Sequence, residues 1–410
     1  MKKIIIVFTM FFICLKVYYA SGTEVCRIGE VYYDTLEDAI SEVKSDETIV
    51  LISNINSNNS FIIDKPVKID LNNHIISVPR MVFIVNGGEL KLVGSGVVKE
   101  LEPYYGAVVI KGSLDENKVN FSLLEVDEDI TLEGWSGVFI DQNSGKGYGI
   151  KVIVNGIINA VDDISGSNGI GIYVNGNIKD TVNSPTIIVN DTSNIFSTGV
   201  GIYQAGYAKT TIYGGYIEGD NSAIAIKSGI LNINDGEFVC NGNDNTPTSG
   251  NNNGVNSSGT TLQIESNPLY AGRIEVDIKN GIFKSKYSNV IYEYLTGSVT
   301  NVYNFIIEGG TFISESSKDV FNLSSDFKNK IPSFITGGKF SSDPTAYLKA
   351  DYRALKNTND LFEVSKTTSS LVSKEVSNRN DNIPILVSII IICSVLFIVI
   401  FFLKNGIKFM

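Results

Sequence analysis

A short cassette that recurs along the chain constrains the fold most strongly. It reads apolar-x-(Asn, Asp or Gly)-Gly-x-apolar, and its four clearest copies end in Phe238, Phe283, Phe312 and Phe340. Gly, Asn and Asp most easily adopt the positive φ of a tight turn, and the flanking apolar residues end one strand and begin the next. The cassette therefore predicts short strands joined by tight turns.

The spacing of the cassettes indicates a repeat. Looser copies centre on Gly88, Gly156, Gly176 and Gly215, and the eight central glycines are 68, 20, 39, 21, 45, 29 and 28 residues apart. If the interval of 68 residues holds three units and the intervals of 39 and 45 residues hold two units each, this region contains about eleven units of roughly 23 residues. A unit of this length cannot bury a core alone, so the period predicts a stacked β-solenoid.

Charge and cysteine content limit the environment and the partners. Residues 23–382 carry 28 basic and 44 acidic groups, a net charge of −16, which should repel nucleic acid and anionic lipid. Cys14 and Cys393 lie in apolar terminal segments. Cys26 and Cys240 should be too far apart in a stack to bond, so we expect no disulfide.

Both ends of the chain carry apolar segments. Residues 1–22 join Lys2 and Lys3 to an apolar run and small residues, which predicts a cleaved secretory signal peptide rather than an anchor helix. Residues 383–403 contain no charge and are long enough to span a bilayer, with a buried core helix as the alternative. Lys404 and Lys408 follow this span, which predicts a cytoplasmic C-terminus and an extracellular ectodomain.

One amphipathic helix is predicted near the start of the mature chain. Leu36, Ala39, Ile40 and Val43 have helical spacing, and Asp34 and Glu37 have the spacing of a capping box. We expect this helix to cover the first coil of the solenoid.

The N-terminal segment resembles a known family. CRIGEVYYDTLEDAISEVKSDETIVLISNI, followed by KPVKIDLNNHIISV, is similar to the first module of β-helical surface proteins of Gram-positive bacteria in the pectin-lyase-like superfamily. The segment 337–364 resembles the module that often closes such ectodomains. Asn73 and Asp351 stand where family members commonly have Gly.

The resemblance implies an all-β fold, a single-stranded right-handed parallel β-helix. Together with the terminal segments, it predicts this organisation: signal peptide 1–22, N-terminal cap with helix 23–48, β-helix 49–340, closing module 341–364, linker 365–382, transmembrane helix 383–403 and cytoplasmic tail 404–410.

The superfamily includes polysaccharide lyases and glycosidases, so catalytic residues have to be sought. Residues 23–382 contain five arginines outside any acidic and basic cluster, and the only histidine, His74, reads as an ordinary coil residue. Asp162 and Asp163 form the best carboxylate pair, but neighbours on a strand point to opposite faces, which favours a solvated turn. The acidic run 125–129 reads as a solvated loop. We therefore predict no catalytic residue, metal ion or cofactor.

Aromatic residues are the better candidates for binding. Tyr203, Tyr207, Tyr213 and Trp135 could stack on sugars or anchor a protein, with membership of an internal aromatic stack as the alternative. The leading hypothesis is a non-catalytic, membrane-anchored, adhesin-like protein that binds a glycan, a host protein or a neighbouring cell. A carbohydrate-active enzyme and a structural surface spacer remain alternatives.

Overall fold

The computed structural model describes residues 24–142, 146–176, 178–242, 259–268, 270 and 272–367. These residues are mostly β, and the strands form three long sheets. Residues up to Lys366 belong to one compact unit.

Sheet A has twelve strands in the order β2-β1-β3-β6-β9-β12-β15-β18-β21-β24-β27-β30. Their bounds are β1 Cys26–Ile28, β2 Val31–Tyr33, β3 Ile49–Leu51, β6 Pro66–Asp70, β9 Glu89–Val93, β12 Ser122–Val126, β15 Ile150–Val154, β18 Thr186–Val189, β21 Lys209–Ile212, β24 Gly229–Ile233, β27 Ile274–Ile278 and β30 Val302–Ile307.

Sheet B has thirteen strands in the order β34-β35-β33-β31-β28-β25-β22-β19-β16-β13-β10-β7-β4. Their bounds are β4 Ile55–Asn56, β7 His74–Val78, β10 Gly96–Glu100, β13 Ile130–Gly134, β16 Ile157–Ala160, β19 Asn194–Ser197, β22 Tyr216–Gly219, β25 Glu237–Cys240, β28 Ile282–Ser285, β31 Thr311–Ser314, β33 Gly338–Phe340, β34 Tyr352–Lys356 and β35 Phe362–Lys366.

Sheet C has ten strands in the order β32-β29-β26-β23-β20-β17-β14-β11-β8-β5. Their bounds are β5 Phe61–Ile63, β8 Phe83–Asn86, β11 Val108–Lys111, β14 Ser136–Gln142, β17 Ile170–Gly176, β20 Val200–Gln204, β23 Ser222–Ile226, β26 Leu262–Ser266, β29 Ile291–Leu295 and β32 Phe321–Asn322.

The chain visits sheets A, B and C in turn. From β3 to β29, each strand pairs in parallel with the strand three places later, as β24 does with β27 and β25 with β28. Along β12 and β15, buried side chains alternate with more exposed ones. The parallel sheets and their regular winding are consistent with the predicted parallel β-solenoid.

The clearest cassettes form the corner between sheets A and B. Gly236, Gly281, Gly310 and Gly338 all have positive φ, between +102° and +130°. A Cβ on Gly310 would lie 2.9 Å from the carbonyl oxygen of Gly281 in the preceding coil. Glycine is therefore required both by the turn and by the close stacking of successive corners.

The predicted repeat count is wrong because two of the looser cassettes lie elsewhere. Gly88 lies between β8 and β9, at the corner from sheet C to sheet A, and Gly176 ends β17 in sheet C. Gly236 and Gly281 are in adjacent coils, since β25 pairs with β28, so the 45 residues between them are one unit and not two. Within the described residues, eight sheet B strands lie between Gly88 and Gly338 and a ninth, β33, begins at Gly338, so eleven units are too many.

The four cassette phenylalanines form a continuous internal stack. Phe238, Phe283, Phe312 and Phe340 occupy equivalent register positions and are fully buried. Neighbouring ring centroids are 4.6, 4.7 and 4.9 Å apart, with interplanar angles of 15° or less. These four side chains therefore occupy equivalent inward positions in successive coils.

The N-terminal end is covered by a hairpin and a helix. Strands β1 and β2 form an antiparallel pair, and β1 pairs antiparallel with β3 at the edge of sheet A. Helix α1, Leu36–Glu42, buries its predicted apolar face against the core. The predicted capping box is wrong by one residue, because the Thr35 side chain accepts a hydrogen bond from the Asp38 backbone N–H at 3.2 Å.

The C-terminal end is closed by antiparallel strands and aromatic packing. Strand β35 pairs antiparallel with β33 and β34, which ends the parallel ladder of sheet B. Phe334 packs against Phe321 and Tyr347. Helix α2, Ser325–Lys330, and a 3₁₀ helix, Thr345–Tyr347, lie here. The sequence did not indicate α2, because six residues with one buried side chain, Phe327, have no detectable helical period.

Two further predictions concern cysteines and membrane segments. Cys26 and Cys240 are both buried free thiols, which confirms that they do not bond to each other. Burial raises the pKa of each thiol to about 12. In the part of the chain that the structure describes, no helix has the length and apolarity needed to cross a membrane. The signal segment 1–22 and the span 383–403 lie outside that part.

Candidate functional site

The middle strands of sheet C differ from the strands of sheets A and B because the side chains on their outer face are also buried. Strands β20, β23 and β26 are buried at every position, whereas β15 and β16 alternate. Phe139, Tyr173 and Tyr203 are in register on this outer face, with ring centroids 5.0 and 5.3 Å apart. A second aromatic stack thus lies outside the solenoid core.

Two of the predicted binding tyrosines lie inside the protein. Tyr203 is 1 % exposed and belongs to the outer stack of sheet C, and Tyr207 is 0 % exposed and packs with Tyr148 and Ile178. Burial raises the pKa of both phenols. Neither ring is presented to an external ligand, and the alternative of an internal aromatic stack describes Tyr203.

The other two predicted residues lie at different corners of the solenoid. Tyr213 follows β21 at the corner between sheets A and B and is 53 % exposed. Trp135 lies between β13 and β14 at the corner between sheets B and C, and its ring meets Tyr173 edge-on at 5.3 Å. The structure therefore does not bring the four predicted residues into one site.

Trp135 lies in a cluster of exposed apolar side chains that we call the aromatic patch. Its members come from the corners between sheets B and C in successive coils, and apart from the half-buried Trp135 they are 37–60 % exposed. The members are Leu101, Tyr104, Tyr105, Trp135 and Ile164. Sequence reasoning missed the other four because their loops belong to different coils.

A buried carboxylate holds the patch together. Glu100 is 1 % exposed and ends β10. Its carboxylate accepts hydrogen bonds from the backbone N–H groups of Met81, Tyr105 and Trp135, at 3.1–3.3 Å. Such charge-assisted bonds are stronger than neutral ones, so Glu100 fixes two patch residues from different coils relative to each other.

Contacts between loops complete the patch. The Ile164 backbone N–H donates to the Pro103 carbonyl at 3.2 Å. The rings of Tyr104 and Tyr105 meet edge-on at 4.7 Å. The Trp135 indole Nε1–H donates to the Asn168 carbonyl at 3.0 Å. The exposed rings are therefore positioned by contacts within the protein before any ligand arrives.

The rim of the patch is polar. The Arg80 guanidinium lies 5.0 Å from the centre of the Tyr104 ring and 3.6 Å from the Glu102 carboxylate. Exposed apolar surface with a polar rim is typical of an interaction site.

Asp162 and Asp163 lie beside the patch in a local turn. Desolvation opposes ionisation of Asp163, but hydrogen bonds from Ser165 and Ser167 outweigh it and lower the pKa of this carboxyl. One oxygen of Asp163 accepts three of these bonds, at 2.7–2.8 Å. Asp162 is 3.4 Å from the Asn168 amide. These contacts match the predicted solvated turn.

The acidic run 125–129 does not gather into a single site. Glu125 pairs with Lys91 at 3.1 Å, whereas Asp127 and Glu128 line a shallow recess with Asn155, Asn190 and two further residues, Asp191 and Thr192. Across the described ranges, no three acidic, cysteine or histidine side chains are arranged to hold a metal ion.

A buried ion pair also lies on the outer face of sheet C, and sequence reasoning missed it. The Lys227 ammonium contacts the Glu265 carboxylate, and the two side chains are 0 % and 3 % exposed. Desolvation lowers the pKa of Lys227, and the Glu265 charge acts in the opposite direction. The available clue was a charge at the end of each of two apolar runs, SAIAIK and TLQIES.

Comparisons with known proteins returned no matching family model, curated protein or solved structure.

Proposed function

We propose that this protein is a membrane-anchored bacterial surface protein that presents the aromatic patch to a partner outside the cell. In this proposal, residues 1–22 direct export and residues 383–403 anchor the chain. The solenoid between them is a right-handed, single-stranded parallel β-helix of the pectin-lyase-like type, in accordance with the usual hand of parallel crossover connections.

The observation that carries the proposal is the position of four exposed apolar side chains and the half-buried Trp135 at neighbouring corners of the solenoid. Tyr and Trp are the residues that most often dominate binding energy at interfaces. Because Glu100 fixes the loops, little conformational entropy would be lost when a partner binds. Exposed Leu101 and Ile164 add aliphatic surface, which favours a protein partner, although the aromatic rings also suit a glycan.

The two alternatives predict different behaviour. A polysaccharide lyase or glycosidase would turn over its substrate, and Asp162 with Asp163 would be the first carboxylates to test. A structural spacer would neither bind nor cleave, and replacing patch residues would change nothing measurable. The patch favours binding over a spacer, since an exposed apolar cluster has no use in a spacer.

The topology can be tested on intact cells. The lysines after residue 403 predict that the solenoid is outside and that Met410 is inside. Protease added to intact cells should release the ectodomain and leave a reporter fused after Met410 protected. An intact ectodomain together with a reporter that is accessible from outside would show that the proposed orientation is wrong.

Binding and turnover can be tested together. The purified protein should bind a component of a glycan or host-matrix protein array. It should release neither unsaturated products nor new reducing ends from pectate, polygalacturonate or neutral polysaccharides, with or without calcium. Calcium-dependent unsaturated products would instead establish a lyase, and an empty array would favour the spacer.

A further inference from the structure

Three buried side chains on the outer face of sheet C have complementary chemistry. Lys227 directly follows β23, Glu265 lies in β26, and Asn267 directly follows β26. They are 0 %, 3 % and 9 % exposed. An amine, a carboxylate and a carboxamide are thus held together where water has little access.

The Glu265 carboxylate lies between the other two groups. One of its oxygens contacts the Lys227 Nζ, and the other is 3.3 Å from the Asn267 Nδ2. Because β23 and β26 are paired neighbours, with Ile226 opposite Ile264, Lys227 and Glu265 are the next residues across the ladder. The backbone therefore fixes this arrangement, which does not depend on long surface side chains.

Burial favours the neutral form of the amine, whereas the two aromatic rings beside it favour the charged form. The rings of Tyr203 and Tyr270 lie 5.2 and 5.1 Å from Nζ. Desolvation lowers the pKa of Lys227, which raises the share of the uncharged amine. The uncharged amine is a nucleophile, and the Glu265 carboxylate that contacts it can accept its protons as the reaction proceeds.

We propose that Lys227 and Asn267 form an intramolecular isopeptide bond with Glu265 as the proton carrier. The Lys227 Nζ attacks the Asn267 Cγ, the Nζ–Cγ bond forms, and the Cγ–Nδ2 bond breaks. Glu265 takes two protons from Nζ in turn and delivers both to the departing Nδ2, which leaves as an ammonium ion. In total, one ammonium side chain and one carboxamide become one secondary amide and one ammonium ion, and Glu265 returns to its carboxylate form.

Pro268, which follows Asn267, distinguishes the proposed reaction from ordinary asparagine deamidation. The usual loss of ammonia from Asn requires attack by the following backbone nitrogen, but Pro268 has no N–H with which to complete that reaction. Loss of ammonia at Asn267 therefore requires another nucleophile.

The bond would join two strands that a long polar segment separates in the sequence. The segment between residues 227 and 267 contains the polar stretch 241–259, NGNDNTPTSGNNNGVNSSG. A covalent link across this segment would hold β23 and β26 together, as a disulfide does when it closes a loop.

The test uses the full chain, purified, denatured and digested with trypsin. We expect no cleavage after Lys227 and a branched peptide whose mass is the sum of its two linear peptides less one ammonia. Lys284 is an internal control, because it pairs with Glu237 near the surface at 2.7 Å and should be cleaved normally. Separate linear peptides with intact Lys227 and Asn267 would overturn the proposal.

Two variants test the assigned roles. Asn267→Ala removes the electrophile and Glu265→Gln removes the proton carrier, and each should restore full cleavage after Lys227. A branched peptide that persists in Asn267→Ala would place the bond elsewhere and overturn the assignment. Equal cross-linking in Glu265→Gln would overturn the role of Glu265. Because the bond can form only in the folded chain, circular dichroism must first show that each variant keeps the β-rich fold.

Discussion

Phe283→Ala should destabilise the ectodomain by about 3–5 kcal/mol, the usual cost of truncating a fully buried Phe. Phe283 lies between Phe238 and Phe312 in the internal stack, so its loss opens a cavity that borders two neighbouring coils. Residues 24–367 form the sample, and denaturant unfolding with the slope held in common measures the change in free energy.

The next residue along the strand provides a matched control. Ile282 lies in the same strand but is 40 % exposed on its outer face. Ile282→Ala should change the free energy of unfolding by less than about 0.5 kcal/mol, as expected for a surface substitution. Equal effects of the two substitutions would show that the internal stack does not stabilise the fold.

Glu265→Ala should lower the free energy of unfolding by about 3–5 kcal/mol, because it leaves a buried lysine without its carboxylate. Lys227 then has to stay charged without this carboxylate or lose its proton. The substitution also removes the proton carrier for the proposed isopeptide bond. Both effects lower stability, which denaturant unfolding would measure as a lower midpoint.

The more exposed pair of Lys284 and Glu237 is a control that separates the effect of burial from the effect of losing a charge. Their side chains are 35 % and 37 % exposed, and they also link neighbouring strands. Glu237→Ala removes the same kind of contact at a solvent-exposed position and should lower the free energy of unfolding by only about 0–1 kcal/mol. A small effect of Glu265→Ala, similar to that of Glu237→Ala, would contradict the account of the buried pair.

The local turn chemistry made the winding of the chain predictable. The cassettes ending in Phe238, Phe283, Phe312 and Phe340 combine a glycine needed for positive φ with an apolar residue needed inside, so the sequence marks both the corner and the stack. The unit count failed because Gly88 and Gly176 satisfy the same pattern at other corners. A glycine shows that a turn is present, but it does not show which two sheets the turn joins.

The binding residues were less predictable because their burial depends on which coils are adjacent. Tyr203 and Tyr213 are ten residues apart and chemically alike, but one is buried in the outer stack and the other is half exposed. The aromatic patch joins Tyr105 to Trp135 and Ile164 through Glu100 and loop contacts between coils. No periodic pattern along the chain encodes such contacts.

The affinity of patch variants for the partner found on the array tests the central claim most directly. Trp135→Ala and Tyr104→Ala should each weaken binding about 30-fold, which corresponds to the ~2 kcal/mol typical of an interface hot spot. Tyr213→Ala removes a comparably exposed ring at a different corner and should leave the dissociation constant unchanged, while all three variants keep the wild-type thermal midpoint within a few degrees. Unchanged affinity in both patch variants, or a loss confined to Tyr213→Ala, would contradict the assignment of the aromatic patch as the binding surface.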